Sequence, residues 1–140
     1  MYPLALVFCS CVALALMLNL ALWIWVWLFP ILVKPVGRLP YGAPGLALPG
    51  IILLTHPDNA FVLRHELAHI AQFRRYSPLG AHLLIAWHYG RHALSTRRRT
   101  GHWPSKLELW SANPLEIAAN QQACTGHPSP IQVRLLSKSR

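Results

Sequence analysis

The most conspicuous feature of the hydrophobic pattern lies at the start of the chain: from Leu4 to Val33 no side chain carries a charge. At the helical rise of about 1.5 Å per residue, such a stretch outruns the roughly 30 Å hydrocarbon core of a bilayer, which predicts one transmembrane helix over 4–33. Trp23, Trp25 and Trp27 fall near its C-terminal end, where an amphipathic indole favours the membrane interface, and Pro30 bends or ends the helix there. A cleaved signal peptide fits less well, because Met-Tyr-Pro before the run carries no basic residue and the run is too long. A re-entrant hairpin broken at Asn19 is a further alternative. Lys34 and Arg38 follow directly, so the positive-inside rule predicts a single-pass protein with its soluble domain in the cytoplasm.

Beyond the run the pattern changes. Residues 34–50 hold four prolines and four glycines, which predicts a linker with turns. Ile51-Ile52-Leu53-Leu54-Thr55 has the composition of a strand between Gly50 and Pro57. Asp58 is placed to cap a helix from Asn59 to about Tyr76, whose apolar surface includes Phe61, Leu63, Leu67, Ile70, Ala71 and Phe73. Ser77-Pro78 ends that helix, since the residue before a proline is steered out of the helical region. A second helix is expected over about Leu79 to Leu94, then a polar, arginine-rich loop over 95–106. Asn113-Pro114-Leu115-Glu116 opens the last helix, with an amide at the cap, proline at its first position and glutamate at the third. The soluble domain is thus assigned to 51–128 and a basic tail to 129–140, where the alternation from Ile131 to Leu136 suits an edge strand.

Composition narrows the picture. At 140 residues the chain has room for one membrane segment and one small domain. Its 13 Lys and Arg against 4 Asp and Glu leave a formal charge of +9, which favours anionic lipid, nucleic acid or acidic substrates without choosing among them. The three cysteines make no disulfide framework, because Cys9 and Cys11 belong to the apolar run. With so few acidic residues, Glu66 and Glu116 stand out, because each lies inside a largely apolar segment.

Glu66 lies between two histidines, His65 and His69, one helical turn apart on one face. Two imidazoles so placed can share a metal ion, and the carboxylate between them can accept a proton from water without being a ligand. A catalytic zinc site takes three protein ligands and keeps one position open. The position ten residues after the first histidine is Arg75, so the third ligand comes from elsewhere. Glu116 is the best candidate, in the first turn of a separate helix with Asn120 one turn on to hydrogen-bond the second nitrogen of a ligating histidine. His82, His88, His92 and His127 are rivals, and a capping role at the helix start competes for Glu116.

His65-Glu66-Leu67-Ala68-His69-Ile70-Ala71-Gln72, followed by Asn113-Pro114-Leu115-Glu116-Ile117-Ala118-Ala119, resembles the small bacterial members of the gluzincin type of zinc metallopeptidases. The resemblance covers roughly residues 50–124. It implies a minimal zincin-like α+β domain binding Zn2+ through His65, His69 and Glu116, with Glu66 as general base. Larger gluzincins often carry Asp four residues after the ligand Glu, where this chain has Asn120. No substrate-binding second lobe is evident, which points to short or unfolded peptides as substrates, and a membrane location adds membrane proteins as candidate partners. Tyr76, His88, Tyr89 and His92 are candidates for a donor to the transition state.

The leading expectation is therefore hydrolysis of peptide bonds beside a lipid bilayer. The alternative is a membrane-anchored binding or scaffold protein with a structural or vestigial zinc site. Nucleic-acid binding rests on the charge and the Arg97-Arg98-Arg99 run alone, and is the weakest of the three.

Overall fold

The computed structural model describes residues 2–126 and 131–136. It is a mixed α+β domain preceded by one long apolar helix, as the sequence predicts. Helix α1 runs Tyr2–Leu28, and its stretch Leu4–Leu28 is long and apolar enough to cross a membrane. The uncharged run does not stay helical to Val33. Pro30 disfavours helix at Phe29, and Ile31–Pro35 forms strand β1, whose Ile31 and Val33 are completely buried.

The residues read as a linker also hold structure. Gly45–Leu48 forms β2 and Ile51–Leu54 forms β3, joined by Pro49-Gly50 as an antiparallel hairpin in which Leu48 faces Ile51. Gly50 has φ +85, a conformation glycine adopts without strain. The expected edge strand exists as β4, Val133–Leu135. It pairs with β1, which also pairs with β3, both in parallel, giving the order β2-β3-β1-β4.

Helix α2, Ala60–Tyr76, lies on this sheet and buries Val62, Leu67, Ala68, Ile70 and Phe73. Its cap is Asn59, whose side chain accepts from the Val62 amide at 3.1 Å, and not Asp58. Ser77, at φ 63, ends α2 and also begins α3, Pro78–Thr100, by accepting from the Gly80 amide at 3.2 Å. Helix α3 thus runs through the first half of the segment expected to be an arginine-rich loop. Arg97, Arg98 and Arg99 are good helix formers and lie in its last turn, where cations face the negative end of the helix dipole. Gly101, left-handed at φ 77, stops it. A short helix α4, Lys106–Ser111, with a Ser105/Glu108 capping box, leads to α5, Pro114–Thr125, capped by Asn113.

Helix α1 and the domain share one core. Val26 of α1 is fully buried with Ile31, Val33, Ile52, Leu54, Ile70 and Phe73. The indoles of Trp23 and Trp27 donate to the Arg74 carbonyl at 2.8 and 3.2 Å, and Arg74 Nε donates back to the Val26 carbonyl at 3.0 Å. Trp25 packs on the hairpin turn, where a β-carbon at Gly50 would collide with its indole.

Candidate metal centre

Helices α2 and α5 pack against each other, and the candidate site forms between them. His65 and His69 project from adjacent turns of α2, and their Nε2 atoms stand 3.1 Å apart. The first turn of α5 brings Glu116 Oε2 to 3.5 Å from each of those nitrogens. Among the described residues, these three form the one group of His, Cys, Asp and Glu side chains arranged to hold a metal ion.

The triangle of donor atoms fits zinc. Ligands held tetrahedrally at about 2.0–2.1 Å from a zinc ion stand about 3.3 Å from one another, between the 3.1 and 3.5 Å seen here. Glu116 Oε2 is buried without a hydrogen-bond partner, which is costly for a carboxylate oxygen unless a cation serves it. Burial pushes the Glu116 carboxyl upward, but His65 and His69 beside it outweigh burial and hold it at about 2. Burial also opposes a charge on His69, yet Glu116, with help from Gln72 and Glu66, leaves its pKa above the ordinary 6.5.

Gln72 fixes the orientation of His69. Its Nε2 donates to the Leu115 carbonyl at 2.8 Å, so its Oε1 must face His69 Nδ1, 2.9 Å away. His69 therefore donates from Nδ1, and its Nε2 lone pair points into the triangle. This hydrogen bond differs from the one expected of Asn120. His65 Nδ1 has no hydrogen-bond partner, and Asn120 lines the cavity in front of the triangle. Because Leu115 directly precedes Glu116, Gln72 ties α2 and α5 together at the site.

Glu66 is 6 % exposed and borders the same cavity as His65, His69 and Glu116. Burial raises its pKa above the ordinary 4.5, opposed by His69, His65 and the Ala47 amide. Strand β2 lies so close that a β-carbon at Gly45 would fall 2.6 Å from Glu66 Oε1 and 2.8 Å from Val62 Cγ1. The cavity, about 410 Å3, is walled by Leu46, Phe61, Ile85 and Trp110, and is thus mostly apolar with a polar floor.

The rival ligands stand apart. His82 faces the cavity, but its Nδ1–H donates to the Pro78 carbonyl at 2.7 Å and its ring stacks on Phe73. His88 and His92 line separate grooves, and His127 lies outside the described residues. Asn113, not Glu116, caps α5, accepting from the Leu115 amide at 3.0 Å. Among the candidate transition-state donors is Tyr89, whose hydroxyl pKa is pushed up by burial first and by the negative charge of Glu116 second.

Sequence reasoning missed Gly45, Ala47 and the positioning role of Gln72. A signal for the first two existed: Gly45-Leu46-Ala47-Leu48 alternates small and large residues between Pro44 and Pro49. Ordinary patterning would turn the leucines inward, yet the small residues face in and the leucines out, because Glu66 and α2 occupy the space a larger side chain would need. No family model, characterised protein or solved structure matches this chain, and a function for it is built on the geometry of this site.

Proposed function

We propose that this protein is a membrane-anchored zinc metallopeptidase of gluzincin-like type. The observation that carries the reading is the triangle of His65 Nε2, His69 Nε2 and Glu116 Oε2, opening on an apolar cavity bordered by the buried carboxylate of Glu66.

His65, His69 and Glu116 are the residues that would hold the ion. A bound zinc supplies a positive centre that acidifies water and polarises a peptide carbonyl. Glu66, its pKa raised by burial, accepts the proton of the attacking water and delivers it to the leaving nitrogen, the two halves of general base and general acid work. The close approach of Gly45 confines its carboxylate, so the base is positioned before substrate arrives. The apolar walls favour peptides with apolar side chains beside the scissile bond and exclude bulk water when filled. With α1 as a single-pass anchor and Lys34 and Arg38 on its inner flank, the domain faces the cytoplasm and meets peptides or membrane-protein segments close to the bilayer.

The test is the Glu66→Gln protein, full length and reconstituted in lipid. The expected outcome is full zinc content and an unchanged melting temperature, with cleavage of a peptide library reduced at least about 100-fold, the scale of a lost general base. Wild-type cleavage should stop with a chelator and return with zinc. A zinc-replete wild type that cleaves nothing beyond what E66Q cleaves would leave the site to the scaffold reading.

A further inference from the structure

Helix α3 carries a face that the fold leaves uncovered. Leu79, Leu83 and Trp87 follow one another at four-residue steps, and Leu94 returns to the same side at 3.6 residues per turn. Leu83 is 60 % exposed and Trp87 65 %. Scattered single apolar residues on a surface need no explanation, but an aligned row of them does. The row ends at the cationic last turn formed by Arg97, Arg98 and Arg99.

The start of this helix is pinned to the anchor. Asn19 Oδ1 accepts from the Leu79 amide at 2.8 Å, and Asn19 Nδ2 donates to Ser77 Oγ at 3.3 Å. The amide in the middle of the apolar helix thus serves the first turn of α3, which accounts for a polar residue at that position. The length of the anchor then sets a depth. A hydrocarbon core of about 30 Å takes about 20 helical residues, so a span drawn from the 25 residues of Leu4–Leu28 has its far boundary at about Ile24 or beyond. Asn19 thus lies at least about five residues, roughly 7 Å, inside that boundary. Leu79, bonded to Asn19, begins α3 at the same level.

We propose that the outer face of α3 is a second membrane contact, with Leu79, Leu83, Trp87 and Leu94 in the boundary of the bilayer and Arg97, Arg98 and Arg99 on anionic headgroups. The inference rests on α1 being the anchor. A second copy of the chain is a poor occupant, because each copy carries a formal charge of +9 and pairing along α3 would bring two arginine clusters together. An anionic lipid surface complements that charge, and a helix with one apolar face and a basic end is suited to lie in the interface. Two attachments hold the domain at a fixed tilt, so the zinc-site cavity would keep one orientation to the membrane.

The test uses the full chain with Cys9, Cys11 and Cys124 replaced by serine, and single nitroxide labels on Leu83→Cys, Trp87→Cys, Val12→Cys or Tyr41→Cys. Each variant is reconstituted in nanodiscs of phosphatidylcholine with or without phosphatidylglycerol, and label collisions with oxygen and a water-soluble nickel chelate are compared. Labels at 83, 87 and 12 are expected to collide preferentially with oxygen in the anionic discs, and the label at 41 with nickel. Loss of the phosphatidylglycerol, or the combined R97Q, R98Q and R99Q changes, should raise nickel access at 83 at least about twofold. Nickel access at 83 and 87 matching that at 41, with 12 protected, overturns the contact and leaves the anchor standing. Nickel access at 12 as well overturns both. Protection at 83 accompanied by strong spin coupling between two chains assigns the face to a second copy, and protection insensitive to phosphatidylglycerol and to the arginines removes anionic lipid as the partner.

Discussion

Gly45 and Glu66 are in direct apposition: the general base proposed for this protein packs against a strand position where a β-carbon would fall 2.6 Å from its Oε1 and 2.8 Å from its Cγ. Glu66 is therefore confined by strand β2 on the side that faces Gly45. The confinement does not depend on a glycine-specific backbone angle, since Gly45 is not among the residues with positive φ. It depends on volume alone.

Gly45→Ala is accordingly expected to shift Glu66 or push β2 away from α2. Overpacking of this kind costs about 1–3 kcal/mol. Urea or thermal unfolding should show that loss, together with reduced peptide cleavage at undiminished zinc content. Leu48→Ala is the control on the same strand, because Leu48 is 38 % exposed and does not line the cavity. Equal effects of the two changes would show that the packing at Glu66 has no special importance.

Zinc affinity should depend on Gln72 more than on Asn120. Gln72 bonds both His69 Nδ1 and the Leu115 carbonyl, so Gln72→Ala frees the ring and unties α5. Loss of a group that orients a ligand costs about 10- to 100-fold in affinity. Asn120→Ala removes a cavity wall without touching either histidine nitrogen, and should change zinc affinity less. Competition against a fluorescent zinc chelator measures both, and the reverse order would return Asn120 to the role expected from the sequence.

Removal of the ligands themselves should be graded by what each leaves behind. His65→Ala and His69→Ala each delete a nitrogen of the triangle, and Glu116→Gln keeps the shape of the third member while removing its charge. All three should lower zinc content of the purified protein severely, read by metal analysis. Undiminished zinc in E116Q would place the third ligand elsewhere, and His82, which faces the cavity, would be the next residue to change.

In the presence of a chelator, the site should make stability depend on pH in a defined window. Glu116 is held at about 2 against an ordinary 4.5. Its contribution is thus fully present above 4.5 and is lost as pH falls toward 2. His69 is raised above 6.5, so its contribution is present below 6.5 and is lost as pH rises through the raised value. The melting-temperature difference between wild type and E116Q should therefore be largest between pH 4.5 and 6.5 and shrink on both sides. A difference independent of pH would mean that the ion pair does not form.

Much of the site was legible because it is local. The four-residue step from His65 to His69 puts two imidazoles on one helix face wherever that helix sits, and Asn113-Pro114 begins a helix whose first turn includes Glu116 whatever surrounds it. The long uncharged run, the strand at Ile51–Leu54 and the helix ending before Pro78 were legible for the same reason: helical rise, β-branching and proline sterics act within a few residues. Only the tertiary structure decided where one apolar element stops and another begins. Leu28 and Ile31 look alike in composition, and it is pairing with β3 and β4 that makes Ile31–Pro35 a strand. Only the packing of α5 against α2 brought Glu116 Oε2 to both histidines, and gave Gln72, rather than Asn120, the hold on His69. Gly45 and Asn19 became intelligible last. One is a close approach and the other a hydrogen bond across 60 residues of chain, and neither kind of contact leaves a periodic trace in the sequence.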